Sequence, residues 1–249
     1  MSTPLTNVIL PHALADLTAR DPRLARIVAD YGPPPLWARE PGFPTLLHII
    51  LEQQVSLASA QAAFDRLLAV ASPLTPERFL ELDDATLKAA GFSRQKTRYG
   101  RELTGAILSG SLDLEALDAL DDEAVRAALT KVVGIGRWTA DIYLLMALCR
   151  PDAWPAGDLA LATAARHALG LASTPRPADL EALGEAWGPW RAVAARVLWH
   201  FYLNGGTRRG GGRKDSLDID AAERTVSGEN RALRVVRARP RPIPESGAP

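Results

Sequence analysis

The clearest chemistry in this sequence sits where two glycines and an arginine separate two helical segments. The run Lys131-Val132-Val133-Gly134-Ile135-Gly136-Arg137-Trp138-Thr139-Ala140-Asp141 reads as one helix, about 122–130, entering a turn and a second, about 137–149, leaving it. Gly134 and Gly136 permit positive φ and close approach of the backbone to a ligand. The unfilled N–H groups of the turn and of the second helix's start then face outward together. Such a nest beside a helix N-terminus is an anion site, and a nucleic-acid phosphate fits it. Arg137 adds charge. Gly-Ile-Gly turns between helices are common, so a purely structural turn is an equal reading of these residues taken alone.

Other chemistry-bearing residues are less specific. Asp158 follows Gly157 and reads as the N-cap of a helix over 159–169. Asp141, one turn into the hairpin helix, is placed to cap or to pair with an arginine. Arg94 and Lys96 are phosphate-contact candidates or part of a solvated helix face. His12, His48, His167 and His200 are scattered without metal-ligand spacing, and His48 and His200 fall in apolar helical stretches. The single cysteine, Cys149, excludes a disulfide framework and any four-cysteine zinc or iron–sulfur site.

The elements that must position these residues are helices. Alanine and leucine dominate, β-branched runs are short, and no stretch alternates for a strand's length. Thr75 before Pro76, and Asp83, Ser93 and Asp121 before apolar-periodic segments, are N-cap candidates. Gly91, Gly110 and Gly170 stand where left-handed residues end helices. Gln53-Gln54 followed by Ser56 marks a break, with Ser56 capping a helix over 57–70. Nine or ten helices result, without internal repeats, in an all-α chain.

The 249 residues allow one domain or two. Lys+Arg 29 against Asp+Glu 29 gives no formal net charge, so bulk charge argues for no polyanionic partner. The distribution is uneven. Residues 204–249 carry ten Lys/Arg and six acids, leaving 19 basic and 23 acidic residues in 1–203. That Gly- and Pro-containing tail has too few apolar residues to offset ordering entropy and reads as a disordered linker or a phosphate-binding arm. No apolar run spans a bilayer, and no secretory signal begins the chain. A soluble, cytoplasmic protein is expected, nucleoid-associated if bacterial, with no membrane contact and no obligate protein partner.

Five segments in one order carry a resemblance. They are 50–56 (Ile-Leu-Glu-Gln-Gln-Val-Ser), 91–96 (Gly-Phe-Ser-Arg-Gln-Lys), 133–140, 154–158 (Trp-Pro-Ala-Gly-Asp) and 187–191 (Trp-Gly-Pro-Trp-Arg). Together they resemble the helix–hairpin–helix DNA glycosylases, and more closely the DNA-3-methyladenine glycosylase II family, over about residues 20–203. The resemblance implies a two-lobed helical bundle with the cleft between lobes and Asp158 at its rim, one lobe being roughly 75–150 and 1–203 the whole core. It implies that Asp158, twenty residues after Trp138, is the catalytic carboxylate, stabilising an oxocarbenium-like sugar and orienting the attacking water. A cap position holds a carboxylate rigidly, so both readings of Asp158 are compatible.

The same resemblance assigns Trp138 and Trp199 as aromatics of the base pocket, with Tyr143 a further substrate-binding candidate. Five of the six tryptophans lie between 138 and 199, and a flipped methylated base stacks well on indole. Trp187 and Trp190 read as core. Gln54 holds the intercalating position, and Gln53, Gly134, Gly136 and Arg137 complete the DNA-binding set. Bifunctional relatives carry a lysine where this chain has Trp138, so no amine is available for a covalent step. The expectation is a monofunctional glycosylase that excises alkylated purines from double-stranded DNA, with no metal and no cofactor. Ile142, where some members place an aromatic, leaves open a glycosylase for deaminated or oxidised bases. A non-catalytic DNA-binding module, with Asp158 only a cap, is the other alternative. Too few residues precede Gln53-Gln54 for the N-terminal β domain of some members.

Overall fold

In a computed structural model, residues 3–207 are described. Nearly all of the basic tail expected over 204–249 lies outside them, from 208 onward. Among the described residues there are twelve α-helices, two short 3-10 turns and no strand. The helices are α1 (Ile9–Arg20), α2 (Pro22–Tyr31), α3 (Phe43–Glu52), α4 (Leu57–Val70), α5 (Pro76–Glu81), α6 (Asp84–Ala89), α7 (Arg94–Leu108), α8 (Asp122–Leu129), α9 (Arg137–Met146), α10 (Leu159–Leu169), α11 (Pro177–Gly184) and α12 (Arg191–Leu203). None is long and apolar enough to cross a membrane.

The capping residues do what their types dictate. Ser56, Thr75, Asp83, Ser93, Asp121 and Asp158 each accept a backbone N–H of the first turn that follows. The twelve exceed the nine or ten expected. Asp21 caps α2, and Pro22 begins it.

Two packing groups divide the helices. α1, α2, α10 and α12 pack on one another; α3 packs on α4, α7 and α9, with α5 and α6 against α7 and α8 against α9. The group anticipated at 75–150 therefore begins at α3. The reason is visible in α3 itself, where Phe43 and every residue from 46 to 52 are buried. A helix apolar on all faces must be surrounded.

Buried polar groups join the halves. Arg196 of α12 is fully buried and donates to the carbonyls of Leu36, Ala192 and Leu145 at 2.7–2.9 Å. Burial pulls its pKa down to about 10. Trp187, expected in the core, is buried, and its indole N–H donates to Asp21 Oδ2 at 2.9 Å. Trp154 is buried as well, bonded to the Leu180 carbonyl at 3.0 Å.

Candidate active site

The hairpin runs from the end of α8 to the start of α9. Gly134 has φ +97°, and a Cβ there would stand 2.2 Å from Cγ of Tyr99, so this position admits only glycine. Gly136 differs from expectation. Its φ is −94°, and a Cβ there would meet nothing within 4 Å. It caps α9 without a side chain, so no side-chain acceptor at the cap fills the first-turn N–H groups of α9.

Buried charge braces the hairpin. Asp141 is 1% exposed and accepts from Arg126 Nε of α8 at 2.6 Å, the arginine pairing anticipated for it. Burial pushes its carboxyl pKa up while Arg126 opposes that shift. Arg137 lies 3.7 Å from Asp141 and 3.9 Å from Glu181 but is 60% exposed, so its charge still faces solvent.

Gln53 does not face outward. Its Nε2 donates to the Gly134 carbonyl at 2.9 Å and to Thr139 Oγ1 at 3.0 Å, so the amide nitrogen of this half-buried residue is engaged in supporting the hairpin. Gln54 is the exposed tip of the α3–α4 turn, at φ +57°, followed by exposed Val55. This is the projecting position a wedge needs. Lys96 turns inward, donating to the Leu51 carbonyl at the end of α3 at 2.5 Å, and burial lowers its pKa.

Asp158 stands across from the hairpin helix. Its Oδ1 accepts the Leu161 backbone N–H at 2.7 Å and the Trp199 indole N–H at 3.1 Å; its Oδ2 accepts the Trp138 indole N–H at 3.0 Å. An ionised carboxylate offers about four lone-pair sites. Three are filled, and one on Oδ2 stays open at the half-buried rim. Asp158 does cap α10, and the Trp138 and Trp199 N–H groups fix the orientation of its half-buried carboxylate. An open groove of about 450 Å³ adjoins it, lined by Trp138, Ala156, Gly157, Pro177 and Glu181 among others.

Tyr143 is a correction. Its ring is fully buried and its hydroxyl accepts the Gly42 N–H at 3.0 Å, so it is a core side chain with no face for a base. Five residues on from Trp138, it lies on the inner side of α9. Ile142 is buried too, at 3% exposure. His48 stacks on Phe64 at 4.3 Å, and burial lowers its pKa to about 4. Sequence reasoning missed Tyr99 and Thr139 beneath the hairpin. No spacing in one chain links them to Gly134.

A model of the HhH-GPD superfamily base excision DNA repair proteins matches residues 47–189, more than half of the chain, and the chain belongs to that superfamily. Among its relatives, DNA-3-methyladenine glycosylase 1 of Schizosaccharomyces pombe is 29% identical over 181 residues, covering 71% of this chain and 79% of that protein. A 3-methyladenine DNA glycosylase of the same organism, solved with abasic DNA, superposes with a TM-score of 0.71 at 27% identity over 82% of this chain and all of that one. The DNA-3-methyladenine glycosidase of Bacillus halodurans gives 0.64 at 30% identity, over 76% and 88%.

Proposed function

We propose that this protein is a monofunctional DNA glycosylase that flips alkylated purines, 3-methyladenine-like, out of double-stranded DNA, excises them and leaves an abasic site. The observation that carries this reading is the Asp158 carboxylate, fixed by three N–H donors with one lone pair open. The relatives named for 3-methyladenine support the substrate class.

The chemistry follows from that geometry. Cleavage of the N-glycosidic bond sends its electron pair to the base and leaves positive charge at C1′ of the sugar. Alkylation at a ring nitrogen makes the base cationic, so it departs without strong acid help. A preorganised anion at Oδ2 stabilises the sugar cation and orients the water that adds to C1′. The hairpin amides grip a phosphate, Gln54 fills the gap in the stack, and the half-buried Trp138 receives the electron-poor base. Trp199, only 8% exposed, acts through the N–H it donates to Asp158 and has no free face for a base. Position 138 offers an indole and no amine, which supports hydrolysis without strand cleavage.

Incubation with duplexes carrying methylated purines, hypoxanthine, uracil or 8-oxoguanine tests the reading. Free methylated base should appear, with strands cut only after alkali and no adduct trapped by borohydride. Release from the deaminated or oxidised duplexes alone would move the substrate class. Cutting without alkali would refute monofunctionality, and no release from any duplex would leave a DNA-binding module.

A further inference from the structure

The described body is acidic on balance, yet one face runs the other way. An open groove of about 830 Å³ lies between α7 and the entry to the hairpin, rimmed by Arg94, Arg98 and Arg101 on one side and Lys131 on the other. Asp84 and Glu102 are its acids. The three arginines follow at steps of four and three residues, which puts them on one face of α7. At 1.5 Å per residue they span about 10 Å of the helix axis. Gly105 lies in the groove wall, with open space where a Cβ would stand.

Two observations say that these charges serve a ligand. The first is the placement of Arg94 at the first position of α7, a helix with no acid in its first turn. That end of a helix favours anions; α5, α6, α8 and α11 carry acids there, whereas α9 and α12, like α7, begin with an arginine and carry none. Arg94 adds positive charge to an end of the helix that already attracts anions. The second is pairing. Arg94 and Lys131 are exposed and make no ion pair among the described residues, and Arg98 reaches Glu102 only at 3.8 Å between exposed side chains. Arg101 alone is held closely, by Asp84 at 2.8 Å.

The groove reaches the entry of the hairpin. Val132 and Val133 line it, and Tyr99 of α7 lies directly under Gly134. We propose that this groove is a second phosphate track, which takes about three further nucleotides of the strand held at the hairpin, at about 3.4 Å of axial rise each. The inference rests on reading the protein as a DNA glycosylase, and it adds a surface that extends the footprint past the hairpin.

The test is equilibrium binding of an undamaged duplex over a salt series. Wild-type protein is compared with Arg94→Ala/Lys131→Ala and with a control, Arg26→Ala/Arg166→Ala, which removes two exposed cations from α2 and α10. Each lost phosphate contact should reduce the slope of log affinity against log salt by about 0.9, so the groove variant should lose about 1.8 and the control much less. Arg94→Glu/Lys131→Glu should weaken binding further at low salt, with an unchanged circular dichroism spectrum. A wild-type slope in the groove variant, or an equal drop in the control, would overturn the track. Undamaged DNA makes this readout independent of base release. A flat result beside normal excision sinks the track alone, and a reduced slope without excision sinks the enzymatic reading alone. Wild-type protein that binds no duplex would sink both.

Discussion

Gln53 Nε2 donates to the carbonyl of Gly134 at 2.9 Å, tying the residue just before the wedge turn to the tip of the hairpin 81 positions away. Thr139 Oγ1 accepts from the same nitrogen, so one amide touches both the turn and the first coil of α9. The group expected to fill the DNA stack and the group expected to hold a phosphate are thereby kept in register.

Replacing Gln53 with Ala should remove both bonds and leave the Gly134 carbonyl without that partner. A loss of about 1–2 kcal/mol in urea unfolding is expected, with weaker duplex binding. Gln54→Ala is the contrast. It should stay within about 0.5 kcal/mol of wild type, since its side chain is exposed, while base release falls. Equal stability effects at the two positions would contradict this division.

Asp158→Asn separates capping from catalysis. Asn still accepts the Leu161 N–H, but its amide nitrogen would face the Trp138 N–H that Oδ2 now accepts. The donor clash should cost about 1–2 kcal/mol, more than loss of the cap charge alone. Base release under single-turnover conditions should drop on the order of 10²–10³, with duplex binding retained. A folded, DNA-binding variant with near-normal release would remove Asp158 from the chemistry.

The two hairpin glycines should behave oppositely. Gly134→Ala sets a Cβ against the Tyr99 ring at positive φ and should destabilise by about 2–3 kcal/mol. Gly136→Ala has open space and should leave thermal melting nearly unchanged. Its methyl stands where a phosphate would approach, so a fall in duplex affinity is the expected signature.

His48 predicts an acid-side loss of stability. Its folded pKa of about 4 lies below the ordinary histidine value of about 6.5, because burial disfavours the charged ring. The unfolded chain therefore binds the proton first. The stabilisation is complete above pH about 6.5 and is lost as pH falls toward 4, by up to about 3 kcal/mol. His48→Phe keeps the stack on Phe64 and removes the titration. Urea unfolding of both proteins from pH 7 to 4 checks it, and parallel curves would contradict the assignment.

Much of the local structure was legible because it depends on neighbours in sequence. A serine, threonine or aspartate reaches an N–H two or three residues on whatever the rest of the chain does. Ser56, Thr75, Asp83, Ser93, Asp121 and Asp158 accordingly cap the helices they precede. Gly91, Gly110 and Gly170 likewise take the positive φ that helix ends require. The hairpin was visible in the sequence itself, whereas the carboxylate twenty residues beyond Trp138 was singled out by the family resemblance, and the indole contact shows the two meeting in space. Tertiary structure alone decided which way side chains on those elements point. Tyr143 was a pocket candidate under the resemblance but turns into the core, where the Gly42 N–H donates to its hydroxyl. Gln53 and Gln54 are adjacent and identical in type, yet one supports the hairpin and the other meets solvent. Between α3 and α4, Gln54 takes a positive φ. Tyr99 and Gln53 meet Gly134 only once distant helices close together, and no periodicity along one chain encodes that meeting.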